Sequence, residues 1–269
     1  MVSERDLRKF SRRAGGLLIA GLAVWYVPRL VLFFLVCGFI DLMRHREITP
    51  FLLKRYFMGN GILTMLLSPV NLLADLFSYK NKIIYKIDDL PEDYQKEINE
   101  VIDIFKEKKD DIMQAMDKQL ADSGRGMLFI KWYDKVLEQS IVDFDYDCKY
   151  IKTVAVSAFN RGNKTKLHFG PLRLSLRVLY NLNPVKDDQI YIHADSVKHY
   201  WHDDPLFIFD DTVMHESLNN SDSQIRYCLF MDIVRPSDHY EAFNFVISKT
   251  SVLLNGIKEV FYKNWKAIS

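Results

Sequence analysis

The 269-residue sequence predicts an α+β protein: an apolar N-terminal helical region, a helical stretch of mixed polarity, and a strand-rich domain of sandwich or barrel type. Three observations carry this expectation. Residues Ala14 to Ile40 contain a single charge, Arg29. Between Tyr94 and Met116 the apolar residues recur at helical spacing with Lys and Glu between them. From Lys149 the period changes to short runs rich in Val, Ile, Tyr and Phe, separated by turn residues.

The 27 residues Ala14–Ile40 pass the length test for a membrane-inserted helix, because roughly 20 apolar residues span a bilayer core. They are too long for the apolar part of a cleaved signal peptide, and no clear cleavage site precedes Arg44-His45-Arg46. Pro28-Arg29 falls in the middle and is expected to break or kink the helix. Arg5, Arg8, Lys9, Arg12 and Arg13 precede the stretch and Arg44 and Arg46 follow it, which suits a re-entrant hairpin with both ends cytoplasmic. A second apolar stretch, Met58 to Phe77, has only Asp75 as a charge and is interrupted by Gly59, Gly61 and Pro69. It reads either as membrane contact, by crossing or lying in the interface, or as packing on the rest of the protein.

Near Lys80 to Asp89 the composition turns polar, which divides the chain into a membrane-associated region, 1–80, and a second domain, 81–269. Asp89 is a candidate N-cap, with Pro91 in the first turn and Glu92 completing a capping box. One long helix should follow, its face formed by Tyr94, Ile98, Val101, Ile102, Phe105, Ile112 and Met116, and Gly124 and Gly126 end it. Strands are expected at Lys149–Phe159, Leu174–Leu182, Gln189–Ala194, Val197–Trp201, Leu206–Phe209 and Arg226–Val234. Tyr240–Trp265 returns to a helical pattern that braces the sheet or forms an oligomer contact.

The formal net charge of +1 gives no global case for nucleic acid. Cys37, Cys148 and Cys228 are scattered and odd in number, which points to a reducing compartment rather than a disulfide framework or a zinc site. Among seven histidines, His193-Ala194-Asp195 with His215 imitates the two-histidine, one-carboxylate triad of non-haem iron oxygenases. The interval from Asp195 to His215 is too short for ligands on strands separated by several others. These two residues are better read as strand and turn.

A second constellation begins at His168-Phe169-Gly170-Pro171, with Arg177 nine residues after the histidine. It continues through Phe209-Asp210-Asp211 to His215-Glu216, Arg226 and the Asp232–Pro236 ending, and Ser157 lies eleven residues before His168. From about Ile151 to Pro236 these elements resemble the aspartyl/asparaginyl β-hydroxylase family of iron(II)- and 2-oxoglutarate-dependent dioxygenases. The resemblance implies a double-stranded β-helix, or jelly roll, with flanking helices. It further implies His168 and His215 as iron ligands, Arg177, Arg226 and Ser157 as 2-oxoglutarate contacts, and molecular oxygen as cosubstrate. Gly170 stands where most such oxygenases have a carboxylate ligand, and a water is expected to take that position. The chemistry suits these residue types, since neutral imidazoles bind iron(II) and an arginine fork meets a carboxylate in bidentate fashion. Asp210 and Asp211 read as turn and supporting groups. Leu179 replaces a histidine of the animal peptide hydroxylases, and Arg226 lies eleven residues after His215 where ten is usual, implying a small insertion around Ser221 to Gln224.

Pro28 to Arg46, Gly59-Asn60-Gly61 through Leu67-Ser68-Pro69 with Asn71 and Leu72, and Asp88-Asp89-Leu90-Pro91 resemble the membrane-associated bacterial lipid A 2-hydroxylases. This implies hydroxylation of a lipid A acyl chain at carbon 2, at the cytoplasmic face of the bacterial inner membrane, with Arg44, Arg46, Lys54 and Arg55 placed to attract lipid phosphates. Peptide aspartyl/asparaginyl hydroxylation and a membrane-tethered binding protein without catalysis are the alternatives.

Overall fold

The computed structural model describes residues 14–16, 18, 21–22, 24–120, 123–139, 141–255 and 265–268. The basic residues before Ala14 lie outside them. The helical path of the first apolar stretch breaks at Val27, whose backbone (φ −134°, ψ 53°) leaves the helical region before Pro28 takes the first position of α1, Pro28–Leu42. At 15 residues α1 is about 22 Å long, short of a bilayer core of roughly 30 Å. Among the described residues no helix is long and apolar enough to cross a membrane. Three further helices follow: α2 (Pro50–Met58), capped by Thr49, then α3 (Ile62–Leu66) and α4 (Ser68–Phe77).

Of these helices α3 and α4 are inside-out and α1 turns most of its apolar side chains outward, whereas α2 buries Leu52 and Tyr56 in the ordinary amphipathic way. In α4 the residues turned inward are Ser68, Asn71 and Ala74, while Leu73, Leu76 and Phe77 face outward. Thr64 is the buried residue of α3, whereas Ile62, Leu63 and Leu66 are exposed. In α1, Gly38 and Asp41 are inward and Leu32, Phe33 and Phe39 are outward. The second apolar stretch therefore packs on the domain through its small and polar side and keeps its apolar side open.

After β1 (Ile84–Tyr85), a 3-10 turn at Ile87–Asp89 replaces the expected cap. The Asp89 carboxylate accepts the Lys86 N–H at 3.0 Å and ion-pairs with Lys80 and Lys82, which pull it well below the usual carboxylate range. Pro91 precedes the helix as its N-cap. The expected single helix is two, α5 (Glu92–Glu107) and α6 (Lys109–Leu120), joined at Lys108, and all seven residues of its predicted apolar face are buried.

An eight-stranded sheet has the order β1-β9-β6-β11-β4-β2-β12, with β3 (Lys135–Val136) added to β2. Its members are β2 (Arg125–Trp132), β4 (Ile151–Phe159), β6 (Ser175–Asn181), β9 (Leu206–Phe209), β11 (Arg226–Val234) and β12 (Lys266–Ile268). A four-stranded sheet, β5-β10-β7-β8, is built from β5 (Asn163–Lys164), β7 (Ile190–Ala194), β8 (Val197–Tyr200) and β10 (His215–Asn219). Every pairing is antiparallel except β12 on β2.

All nine residues of β4 are buried because both of its faces are covered. Val154, Val156 and Ala158 join the core under α5 and α6, while Ala155 belongs to a second core that also takes Ile190, Ile192 and Ala194 of the small sheet. The two sheets thus share one interior, an arrangement compatible with the expected double-stranded β-helix. The six expected strands all occur. β1, β2, β3, β5, β10 and β12 add to them, and β2 takes in Gly126, which was read only as a helix terminator.

The C-terminal expectation is corrected. The described helix, α7, covers Tyr240–Asn255 and buries Phe243 and Ile247; Ile257 and Phe261 lie outside the described residues. Trp265 is not on a helix but leads into β12.

One buried carboxylate fixes the start of β4. Glu97 accepts backbone N–H groups of Lys149 (2.9 Å), Tyr150 (2.9 Å) and Ile151 (2.7 Å). Glu97→Gln, which weakens these charge-assisted bonds, should lower stability by about 1–3 kcal/mol in denaturant titration; an unchanged midpoint would contradict this role.

Candidate functional site

A cavity of about 190 Å³ lies between the two sheets, and His168, His215, Arg177, Arg226 and Ser157 all line it. Their convergence follows from strand pairing. His168 and His215 form an isolated antiparallel bridge, each N–H donating to the other's carbonyl at 2.9 Å, and their rings lie 4.1 Å apart. Ser157 on β4 stands opposite Cys228 on β11, and Arg226 opposite Phe159, so alternate residues of the two strands point to the same side.

Both imidazoles are prepared as neutral ligands. Nδ1 of His168 lies 2.8 Å from the Lys166 carbonyl and Nδ1 of His215 lies 2.9 Å from the Val213 carbonyl. A carbonyl only accepts, so Nδ1 carries the proton in each ring and Nε2 keeps its lone pair. Burial pushes His168 down to about 4, helped by the Arg177 charge, and pushes His215 well below its ordinary value, helped by the charge His168 would bring. Among the described residues no group of three or more His, Cys, Asp or Glu side chains is arranged to hold a metal. A metal here would rest on two imidazoles and on ligands the protein does not supply.

Arg226 is 2% exposed, and its guanidinium lies over Phe159 (4.5 Å) and Trp201 (5.0 Å). Its Nε and Nη1 have no hydrogen-bond partner, and burial lowers its pKa. A buried, unpartnered cation at a cavity wall is a prepared seat for an anion. The Ser157 hydroxyl, which donates to the Cys228 carbonyl at 3.2 Å, lines the same cavity. Arg177 differs. It bonds Asp232 through Nε and Nη2, both at 3.0 Å, and Asp211 through Nη2 at 2.9 Å. Arg226 has hydrogen-bonding capacity left, at Nε and Nη1, for a carboxylate ligand. Between His215 and Arg226 the chain turns through a loop folded on Asn219, whose amide donates to Phe159 and Gln224 carbonyls and whose oxygen accepts from Ser221.

His193 and Asp195 do not line the cavity. His193 pairs with Glu216 along β7 and β10, and Asp195 occupies a left-handed turn (φ 52°) where it accepts the Arg46 backbone N–H. Leu179 lines the cavity.

Two cavity residues have places that the sequence did not give: Trp265, expected on a helix, and Asp211, read only as a turn or supporting group. Trp265 arrives through the β12–β2 pairing and packs on Phe159, with Arg125 over its ring. Asp211 fills the space that glycine leaves open at 170: a Cβ there would fall 2.3 Å from its carboxylate. The sequence marks Gly170 as the missing carboxylate, but nothing in it says that a carboxylate from 211 occupies the adjoining space. Gly170→Ala should therefore lower thermal stability, by about 1–3 kcal/mol, because Asp211 is held by Arg177 and cannot withdraw freely.

Burial pushes the Asp211 carboxyl up to about 7; Arg177 opposes this while Asp232 and Asp210 add to it. Since the folded value exceeds the unfolded one, its contribution to stability is full below about pH 4 and is lost as pH rises through 7. The melting temperature of metal-free Asp211→Asn relative to wild type should rise between about pH 5 and pH 8. A difference that stays constant over this range would refute the assignment.

The aspartyl/asparaginyl β-hydroxylase family profile matches residues 92–236, just over half of the chain and every cavity-lining residue but Trp265. No curated protein sequence matches the chain. Two solved structures show local likeness. The protein TT1209 from Thermus thermophilus is 15% identical over 34% of this chain and 79% of that one, with a TM-score of 0.26. An oxidoreductase of the 2OG-Fe(II) oxygenase family from Burkholderia pseudomallei is 11% identical over 33% of this chain and 44% of that one, also with a TM-score of 0.26. Neither likeness is close enough to add to the family match. On that match the chain belongs to the aspartyl/asparaginyl β-hydroxylase family.

Proposed function

We propose that the protein hydroxylates carbon 2 of a fatty acyl chain of lipid A, using iron(II), 2-oxoglutarate and oxygen, at the cytoplasmic face of a bacterial inner membrane. The observation that carries the lipid part of this reading is the outward-facing apolar side of α1, α3 and α4. Leu32, Phe33, Leu66, Leu73 and Leu76 face outward while Asp41, Thr64 and Asn71 face inward, the pattern of a surface whose surroundings are apolar. This layer meets the cavity at its rim, where Phe169 of the cavity wall packs with Leu42, Leu52 and Tyr56.

The residues present fit the groups the reaction requires. Nε2 of His168 and of His215 would hold iron(II), and Arg226 with Ser157 would receive the far carboxylate of 2-oxoglutarate. Bound iron(II) with 2-oxoglutarate and oxygen supplies the chemistry that converts C–H to C–OH while the oxo-acid becomes succinate and carbon dioxide. The protein contributes orientation and dryness: Trp132, Leu179, Ile192, Phe209, Phe230 and Trp265 make the wall apolar, which suits an acyl chain better than a charged peptide side chain. Arg44 is withdrawn from the expected phosphate contacts, because it ion-pairs with Asp210 and Asp75. Exposed Lys54 and Arg46 retain that role.

Purified protein with iron(II), 2-oxoglutarate and oxygen should form succinate in step with lipid A carrying one added oxygen, read by mass spectrometry. Turnover with an aspartyl or asparaginyl peptide and none with lipid would overturn the lipid reading. His168→Ala should abolish turnover. Arg226→Met should raise the KM for 2-oxoglutarate about tenfold or more, the scale of a lost charge-assisted contact.

A further inference from the structure

The N-terminal helical layer reaches the backbone on both sides of His168 and on the Met214 side of His215. Before His168, the Leu167 carbonyl accepts from Asn60 Nδ2 (2.9 Å) and Arg55 Nη1 (3.1 Å). After it, the Gly170 carbonyl accepts from the buried Thr64 hydroxyl (2.9 Å), and the Arg173 N–H donates to Asn71 Oδ1 (2.8 Å). Next to His215, the Met214 N–H donates to Nε2 of His45 (3.2 Å), whose Nδ1 is turned to the Leu42 carbonyl at 3.1 Å.

A buried ionic cluster ties the same parts together. Asp210 Oδ2 receives Arg44 Nη1 (2.7 Å), Arg173 Nε (3.0 Å) and Arg235 Nη1 (3.2 Å). Arg173 Nη1 reaches Asp41 of α1 (2.6 Å) and Asp75 of α4 (2.8 Å). The domain alone cannot balance this cluster, since Arg173 and Arg235 face only Asp210 once Asp41 and Asp75 are set aside. These contacts are unnecessary for a mere tether, which needs only a covalent link.

We infer that this layer is a working part of the metal site: Thr64, His45 and Asn60 are positioning residues that set the spacing and tilt of His168 and His215 through their backbone neighbours. The inference rests on the reading of those two histidines as metal ligands. Nothing in the layer touches the reacting atoms. It fixes the strand bridge from outside, so a small loosening there changes metal affinity before it changes the fold, in the way that groups behind metal ligands commonly shift affinity 10–100-fold.

The test uses the full chain in detergent with Mn(II) as the probe for the iron(II) site, titrated in the presence of 2-oxoglutarate. Thr64→Val should weaken Mn(II) binding about tenfold, and Thr64→Ser, which keeps the hydroxyl, should restore it. Glu97→Gln serves as the control, because it weakens the fold far from the site and should leave Mn(II) binding unchanged. If Thr64→Val does not fold, exposed Asn60→Ala provides the same reading with less risk. Wild-type binding with equal binding by Thr64→Val or Asn60→Ala overturns this inference alone, as does a loss in Glu97→Gln equal to theirs. Absence of Mn(II) binding in the wild type overturns the metal reading and this inference with it.

Discussion

A single buried carboxylate, Asp210, is the point on which the architecture turns. Desolvation alone would drive its proton on, yet Arg173, Arg44 and Arg235 hold it far below the usual carboxylate range. Its other oxygen accepts the Thr212 N–H (3.0 Å) and hydroxyl (2.6 Å), which bends the chain between β9 and β10. That bend determines where Asp211 enters the cavity and where β10 begins with His215. Charges buried in this way are costly unless every partner is present, so the cluster enforces one arrangement of helices and sheets more than it adds to stability.

The cavity itself shows a division of labour among buried groups. The histidines are kept neutral by desolvation, Arg177 is occupied by two carboxylates, and Arg226 is left charged with only aromatic faces beside it. A site with one satisfied and one unsatisfied arginine has a polarity built in: an anionic ligand finds its counter-charge at one end only. The apolar walls then offer the rest of the ligand no competing polar contact.

Much of this was legible in sequence where local chemistry dominates. The family resemblance named Ser157, His168, Arg177, His215 and Arg226, which line one cavity, and the break at Pro28 and the apolar face of α5 and α6 follow from elementary backbone and periodicity rules. What could not be read depends on long-range pairing. β10, His-Glu-Ser-Leu-Asn, has little strand propensity and is a strand because it lies between β5 and β7. Three-residue β12 gives no periodic signal, so Trp265 could not be placed. Asp89 had the look of a helix cap, but the lysines around it claimed it for a turn. The hold of Asp232, from β11, on Arg177 is likewise invisible in linear spacing.

The ionic cluster also bears on how such a protein is divided for laboratory use. A boundary near residue 80 marks a change of composition, and cutting there would look like the removal of an insoluble anchor. The shortened chain would keep Arg173 and Arg235 with Asp210 as their sole carboxylate in the cluster, leaving an excess cation in a place water does not reach, and would strip the donors from the carbonyls flanking His168. A soluble fragment made by that cut would be a different molecule around its most sensitive atoms. The intact polypeptide is the form in which its chemistry can be measured.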